Sequence, residues 1–379
     1  MRDLWQYLKD ESAAGRPILL YGMGNGADKI IAVCDRHGIP IADVFASDGF
    51  VRGHAFHGRT VLSFSEALAQ YGDGMIVLLA FASSRPEVLE LIDRVAATCE
   101  LYIPDVPVCG REVFDADFYK AHKEDICTAR ALFADEESRR VYDGIIEYKL
   151  TGRMDTLRVT ESSPVDAFQG ILHAERFTTA ADLGAYNGDS IRALREFSPH
   201  LSDVIAMEPD RRNLRKLAEY AASLTDAGDS LRVHVAPFGA WNKSATLSFR
   251  ASGNRNATLG ESVSPADECT VLPSTEGNPY FGKTADVAVR SLDEVAVELL
   301  GDSRIDYIKY DVEGAEHEAI LGSKDIIRRD SPALLVSVYH RSADLFRLPL
   351  LVHELNPAYR LYLRRMAGVP AWDINLSAV

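Results

Sequence analysis

Asp182-Leu183-Gly184-Ala185-Tyr186-Asn187-Gly188-Asp189 joins a short apolar run to an amphipathic one, and its reading decides the fold. Gly184 and Gly188 let the backbone turn tightly and approach a ligand, while the helix that follows presents free N–H groups. A dinucleotide fingerprint would need G-x-G-x-x-G. Here an Asp precedes the first glycine, and the spacing is D-x-G-x-x-x-G. An acid in that place suits an ammonium better than a pyrophosphate. Downstream, Glu208 ends the run Val204-Ile-Ala-Met-Glu208, and Pro209 stops it. An acid at the end of a second strand is placed to accept both hydroxyls of a ribose.

Short apolar runs and amphipathic stretches alternate on both sides of this segment. Strands are predicted at 180–184, 204–208, 231–236, 305–312 and 333–339, with closing strands near 359–363 and 373–378. Helices are predicted at 189–197, 211–223, 293–300 and 317–329. This alternation implies right-handed crossovers and a doubly wound, mostly parallel α/β sheet with an antiparallel closing strand. Residues 250–285, rich in Gly, Ser, Asn, Thr and Pro, interrupt the rhythm as a lid or binding loop would. Upstream, strands at 17–22, 41–46, 75–81 and near Leu101 alternate with helices at 27–37, 65–71 and 86–98. The chain thus divides into a small Rossmann-like α/β domain (1–112), a charged helical connector (113–165) and a larger α/β domain (166–379).

A second motif narrows the reading. Ile305-Asp-Tyr-Ile-Lys309-Tyr-Asp311-Val-Glu313-Gly314-Ala-Glu316 resembles the I-K-x-D-V-E-G-x-E signature of the FkbM family, within the class I S-adenosylmethionine-dependent methyltransferases. The resemblance spans about 166–379, including Ser-Leu-Asp-Glu-Val at 291–295 and Leu-Val-Ser-Val-Tyr-His at 335–340. It implies S-adenosyl-L-methionine as cofactor and O-methylation of a hydroxyl on a sugar, glycan or related natural product. Asp182, Gly184, Tyr186, Asn187, Gly188, Glu208, Asp311 and Glu313 are the expected cofactor-binding residues.

Asp311, Glu313 and Glu316 place three carboxylates within six residues. They could hold the cofactor's ammonium, bind a divalent metal through oxygen, or cap a helix N-terminus. No metal site is assigned. His340 follows the fifth strand, beside the fourth, so it can share a crevice with Asp311. With a reference pKa near 6.5 it is the expected general base, and Asp311 is its rival. Lys309 is expected to pair with a buried acid, and Arg341 to be exposed. Asn278-Pro279-Tyr280-Phe281 is similar to the N-P-P-Y motif of amino-group methyltransferases, but it lacks the second Pro and lies before the fourth strand.

The first domain carries Gly22-Met-Gly24-Asn-Gly26-Ala27 after a strand, with Asp48 further on. On paper this matches a dinucleotide fingerprint. It leaves open an NAD- or nucleotide-sugar-binding enzyme built on that lobe, and a non-catalytic binding module is the third reading.

Composition limits the partners. Of 379 residues, 47% are hydrophobic and 26% charged, enough apolar chain for a full core. A formal charge of −15 repels phosphate backbones and anionic lipid, so nucleic acid and membrane are not expected partners. The basic clusters Arg211-Arg212-Arg215-Lys216 and Arg364-Arg365 are read as solvated faces. A small-molecule or glycan acceptor is expected, and a homo-oligomer stays open. Five scattered cysteines without a C-x-x-C pair fit a reducing, cytoplasmic setting, and neither a signal peptide nor a span is found.

Overall fold

Four runs, Ile18–Tyr21, Ile76–Leu79, Thr179–Leu183 and Asp203–Met207, are buried at every position in the computed structural model. Strands closed on both faces belong to parallel sheets with helices on each side. The structure describes residues 3–51, 53, 55–250 and 284–379.

The first lobe runs α1 (Leu4–Ala13), β1 (Ile18–Tyr21), α2 (Asn25–His37) and β2 (Asp43–Ala46). A small antiparallel pair, β3 (Ala55–Phe56) and β4 (Arg59–Thr60), precedes β5 (Leu62–Ser63), α3 (Phe64–Tyr71), β6 (Ile76–Leu79), α4 (Pro86–Thr98) and β7 (Glu100–Tyr102). The parallel sheet has the order β5-β2-β1-β6-β7. Ser63 starts α3 through a reciprocal capping box with Glu66, which satisfies two helix-end amides.

The connector folds as α5 (Ala116–Ala121), α6 (Lys123–Leu132), α7 (Glu136–Thr151) and α8 (Met154–Arg158). Helix α7 buries Val141, Tyr142, Ile145 and Tyr148. On either side of it, Ala134 N donates to Leu361 O at 2.8 Å and Ser162 N to Arg365 O at 2.8 Å. The connector therefore covers a sheet edge that would otherwise present unpaired backbone groups.

The second lobe begins with β8 (Thr179–Leu183), α9 (Asp189–Phe197), β9 (Asp203–Met207), α10 (Arg211–Asp226) and β10 (Arg232–Ala236). A side sheet follows, formed by β11 (Gly239–Ala240), β12 (Ala245–Arg250) and β13 (Thr284–Arg290), and then α11 (Leu292–Leu300). The main sheet resumes with β14 (Tyr307–Tyr310), α12 (Glu316–Leu321), α13 (Lys324–Asp330), β15 (Ala333–Ser337) and α14 (Asp344–Leu355). It ends in β16 (Leu361–Arg365) and β17 (Ile374–Ala378). The order is β10-β9-β8-β14-β15-β17-β16, with β17 antiparallel to both neighbours. The doubly wound α/β sheet and its antiparallel closing strand are thus as the sequence reads.

Several details differ. The helix expected over 317–329 is two, parted at Gly322 and Ser323; Gly322 packs against backbone, and a Cβ there would lie 2.0 Å from Trp241 O. Helix α14 and the side sheet were not read from the sequence. The pair Arg364-Arg365 is not a solvated face but buried. Arg364 bonds Asp135, Asp166 and Ser138, while Arg365 bonds Thr160, Glu161 and three backbone carbonyls. Acids from the connector and just beyond it, distant in sequence, make that burial tolerable. The loop predicted over 250–285 falls almost wholly outside the described residues, as does 278–281. Among the described residues no helix is long and apolar enough to cross a membrane.

Candidate functional site

Sheet order reverses between β8 and β14, and the crevice beyond two such strand ends is where α/β sheets bind ligands. Gly184 follows β8 with φ +88°, and a Cβ there would lie 1.9 Å from Asp311 O. Only glycine lets the two strand ends touch. At Gly188 (φ +83°) a Cβ would meet the Tyr220 ring at 2.6 Å. The glycines of the turn thus answer packing needs first.

The polar groups of the turn converge on this crevice. Asp182 is buried; its Oδ2 accepts from Ser190 Oγ, and its Oδ1 lies 3.3 Å from Lys309 Nζ. Ser190 stands in the first turn of α9, so the acid ties strand to helix across the turn. Glu208, also buried, accepts from Tyr186 N at 2.9 Å and from Asp210 N at 2.8 Å. Burial pushes its carboxyl up to about 7 against those two amides, and Asp210 and Asp182 add to the rise. Tyr186 holds φ +48°, unusual for a residue with a side chain. Asn187 Oδ1 is buried without a hydrogen-bond partner.

Beyond β14 lies the second cluster. Lys309 reaches both Asp182 (3.3 Å) and Asp311 Oδ2 (3.4 Å), as a buried lysine must, and so joins the two clusters. Glu313 takes φ +53° on a turn closed by Glu316, whose Oε1 accepts from Val312 N at 2.8 Å and Gly314 N at 3.3 Å. Glu316 therefore caps the turn as well as opening α12. His340, beyond β15, is 1% exposed; its Nε2 lies 3.6 Å from Asp311 Oδ1 and 3.5 Å from Glu313 Oε2. Its Nδ1 is 2.9 Å from Glu316 Oε1, yet neither ring nitrogen makes an aligned hydrogen bond. Asp311 and Glu313 keep 32% and 29% of their side chains open. The cluster can be reached past those two carboxylates.

The electrostatics differ from expectation at His340. Burial opposes charge on the ring, but Glu316, Asp311 and Glu313 outweigh it and push the pKa up to about 10, not near 6.5. Burial would raise Asp311, but Lys309 and His340 hold its carboxyl below the ordinary value. At neutral pH Asp311 is ionised and the ring carries a proton.

The structure brings Asp311, Glu313 and His340 together, and separately gathers Asp182, Gly184, Tyr186, Asn187, Gly188 and Glu208 around the first turn. Three neighbours were not placed here by the sequence reading. Cys109 Sγ donates to Glu313 O at 3.0 Å and Cys109 N to His340 O at 2.8 Å, although the cysteine lies near the end of the first domain. Arg341, expected to be exposed, is partly buried and its Nε donates to Gly314 O at 2.9 Å. Nothing in the local pattern around Cys109 signals that contact. The third, Ser342 Oγ, donates to Glu112 O at 2.6 Å, so residues 109–112 pack on the turn.

The methyltransferase FkbM domain family matches residues 182–367, which include both clusters. No curated protein matches the chain by sequence. Among solved structures, methyltransferase FkbM from Methylobacillus flagellatus KT shares 20% identity and a TM-score of 0.69, over 99% of this chain and 98% of that one. A putative methyltransferase from Streptococcus mutans in complex with SAH shares 12% identity over 57% of this chain and 97% of its own, with a TM-score of 0.33. A putative O-methyltransferase from Klebsiella pneumoniae shares 13% over 68% and 95%, with a TM-score of 0.32. With both motifs inside the matched span and the fold shared along the whole chain, the C-terminal lobe belongs to the FkbM methyltransferase family.

Proposed function

We propose that this FkbM-type methyltransferase uses S-adenosyl-L-methionine to methylate a hydroxyl of a sugar, a glycan or a related natural product. The observation that carries the reading is the pairing of two clusters across one crevice: a turn with an orphaned buried acceptor, and an open carboxylate beside an imidazole. The first cluster fits the cofactor. Asn187 Oδ1 lacks a partner, Glu208 ends the second strand, and Tyr186 is held in a strained conformation beside both. Such strain at a ligand turn is a common mark of a binding site. Glu208 would accept from the ribose, Asn187 and the turn would hold the amino-acid end, and Asp182 would keep the turn in place through Ser190.

When bound, the cofactor supplies a methyl group activated on a sulfonium. The chain's own residues then have two tasks: to hold the hydroxyl in line and to take its proton. Asp311 is the group present in its basic form, and about a third of its side chain is open. His340 stands behind it, locked among three carboxylates. This reverses the order of the sequence expectation, in which the imidazole is the base.

The test is incubation of the protein with methyl-labelled cofactor and a pool of glycans and hydroxylated natural products, read by mass spectrometry. A labelled methyl on oxygen is the expected product. Label on nitrogen or carbon alone would overturn the hydroxyl assignment.

A further inference from the structure

The group around His340 is unbalanced in a way the turn alone does not explain. His340 and Glu316 are each 1% exposed, yet His340 Nε2, Glu316 Oε2 and Glu313 Oε2 have no hydrogen-bond partner. Buried polar atoms are nearly always satisfied, so several together call for a ligand. Asp311, Glu316 and His340 each place one donor atom within 4.8 Å of the others. Lys309 approaches Oδ2 of Asp311 and leaves Oδ1 turned toward the ring.

We propose that His340 Nε2, Asp311 Oδ1 and Glu313 Oε2 form a divalent-cation site, the ion displacing the proton from Nε2 to solvent while Nδ1 keeps its own toward Glu316. Donor atoms sharing one ion lie roughly 3 to 3.5 Å apart, given metal–ligand bonds of about 2.0 to 2.2 Å. From Nε2 the two oxygens lie 3.6 and 3.5 Å away, so an ion seated between the ring and the two carboxylates would draw all three donors in around itself. Glu316 is anchored by two backbone amides and sits 2.9 Å from Nδ1, the position of the carboxylate that orients a ligating histidine. One imidazole with two carboxylates suits Mn2+, Mg2+, Fe2+ or Zn2+ rather than a thiophilic ion. The two carboxylates are the accessible ligands, so the ion keeps coordination positions toward the crevice.

The consequence rests on the hydroxyl-methylation reading, but the binding does not. An aliphatic hydroxyl is a far weaker acid than a carboxyl group, and a cation on its oxygen narrows that gap; Asp311, ligating through Oδ1, still takes the proton on Oδ2, beside Lys309.

The experiment is a calorimetric titration of the full chain with Mn2+ alone, followed by pulsed EPR of the bound ion. One Mn2+ per chain is expected, with an imidazole-nitrogen modulation in the spectrum and competition by Mg2+ or Zn2+. Glu313→Gln should weaken Mn2+ about 10-fold or more, and His340→Ala should abolish the nitrogen signal. Glu316→Gln, which keeps the ring in place, should weaken it less. Circular dichroism reports whether each variant is folded, and S-adenosylmethionine binding is measured on the parental protein. Parental protein that binds S-adenosylmethionine but no Mn2+ overturns the cation site and leaves the methyl-transfer reading standing. Mn2+ binding that is equal in all variants, or that lacks the nitrogen signal, also overturns it. Mn2+ binding as described with no S-adenosylmethionine binding supports the site and contradicts the cofactor reading instead.

Discussion

The chain contains two glycine turns after two first strands, and they do not do the same thing. In both, glycine is required by the neighbouring strand end. A Cβ at Gly22 would meet the Phe81 ring at 2.5 Å and one at Gly26 would meet Ala80 O at 2.3 Å, as one at Gly184 would meet Asp311 O at 1.9 Å. The difference lies in the acids around each turn. Glu208 is buried and closes on the amide of Tyr186, whereas Asp48 is exposed and bonds Ser65 N and Oγ. Beyond β6 the first lobe offers Ala80 and Phe81 where the second offers Asp311. A glycine fingerprint reports close backbone packing; the ligand chemistry sits on the strand ends beside it.

The largest contrast should be in catalysis. Asp311→Asn should slow methyl transfer by ~10² to 10⁴-fold in single-turnover kinetics, the usual range for losing a proton acceptor, while Asp48→Asn leaves the rate alone. Equal losses would erase the distinction between the turns.

Stability should separate them next. Gly184→Ala drives a methyl into backbone at a positive φ and should cost about 3 kcal/mol or more, measured by denaturant unfolding. Gly22→Ala also sits at a positive φ (+109°) but meets a side-chain ring that can shift, so a smaller loss of about 2 kcal/mol is expected. The reverse order would mean that the β8–β14 contact is not rigid.

Cofactor affinity provides a third contrast. Glu208→Ala should weaken S-adenosylmethionine by about 2 to 3 kcal/mol, through two lost hydrogen bonds to a charged acceptor, and Asp48→Ala should not. The smallest effect is on pH. The Glu208 carboxyl is pushed up to about 7, and its ionised form is the better acceptor for ribose hydroxyls. Parental affinity should therefore fall a few-fold as pH drops from 8 to 6. A parallel fall in Glu208→Ala would assign the titration to another group.

Much of this was legible beforehand because it is local. Alternating apolar runs reveal strands buried on both faces, and the D-x-G-x-x-x-G and D-V-E-G-x-E patterns lie within single turns. Asp182, Glu208, Asp311 and His340 could be placed at strand ends by counting elements. What was not legible depends on distant partners. Arg364 and Arg365 look like surface cations until Asp135 and Glu161 arrive from the connector and Asp166 from just beyond it. His340 looks like an ordinary imidazole until three carboxylates surround it. Cys109 reaches Glu313 across 204 residues of sequence, a contact no periodicity announces. Helix α14 carries Pro349 in its interior, which argues against a helix in any local reading.

The central claim is that the turn after β8, and not the turn after β1, holds the cofactor. Calorimetric titration of the full chain with S-adenosylmethionine and with NAD+, on parental protein and Glu208→Ala, tests it most directly. The account predicts one S-adenosylmethionine per chain, binding at least about 30-fold weaker in Glu208→Ala, and no measurable NAD+ binding. Tight NAD+ binding with no S-adenosylmethionine binding, or S-adenosylmethionine binding indifferent to Glu208, would contradict it.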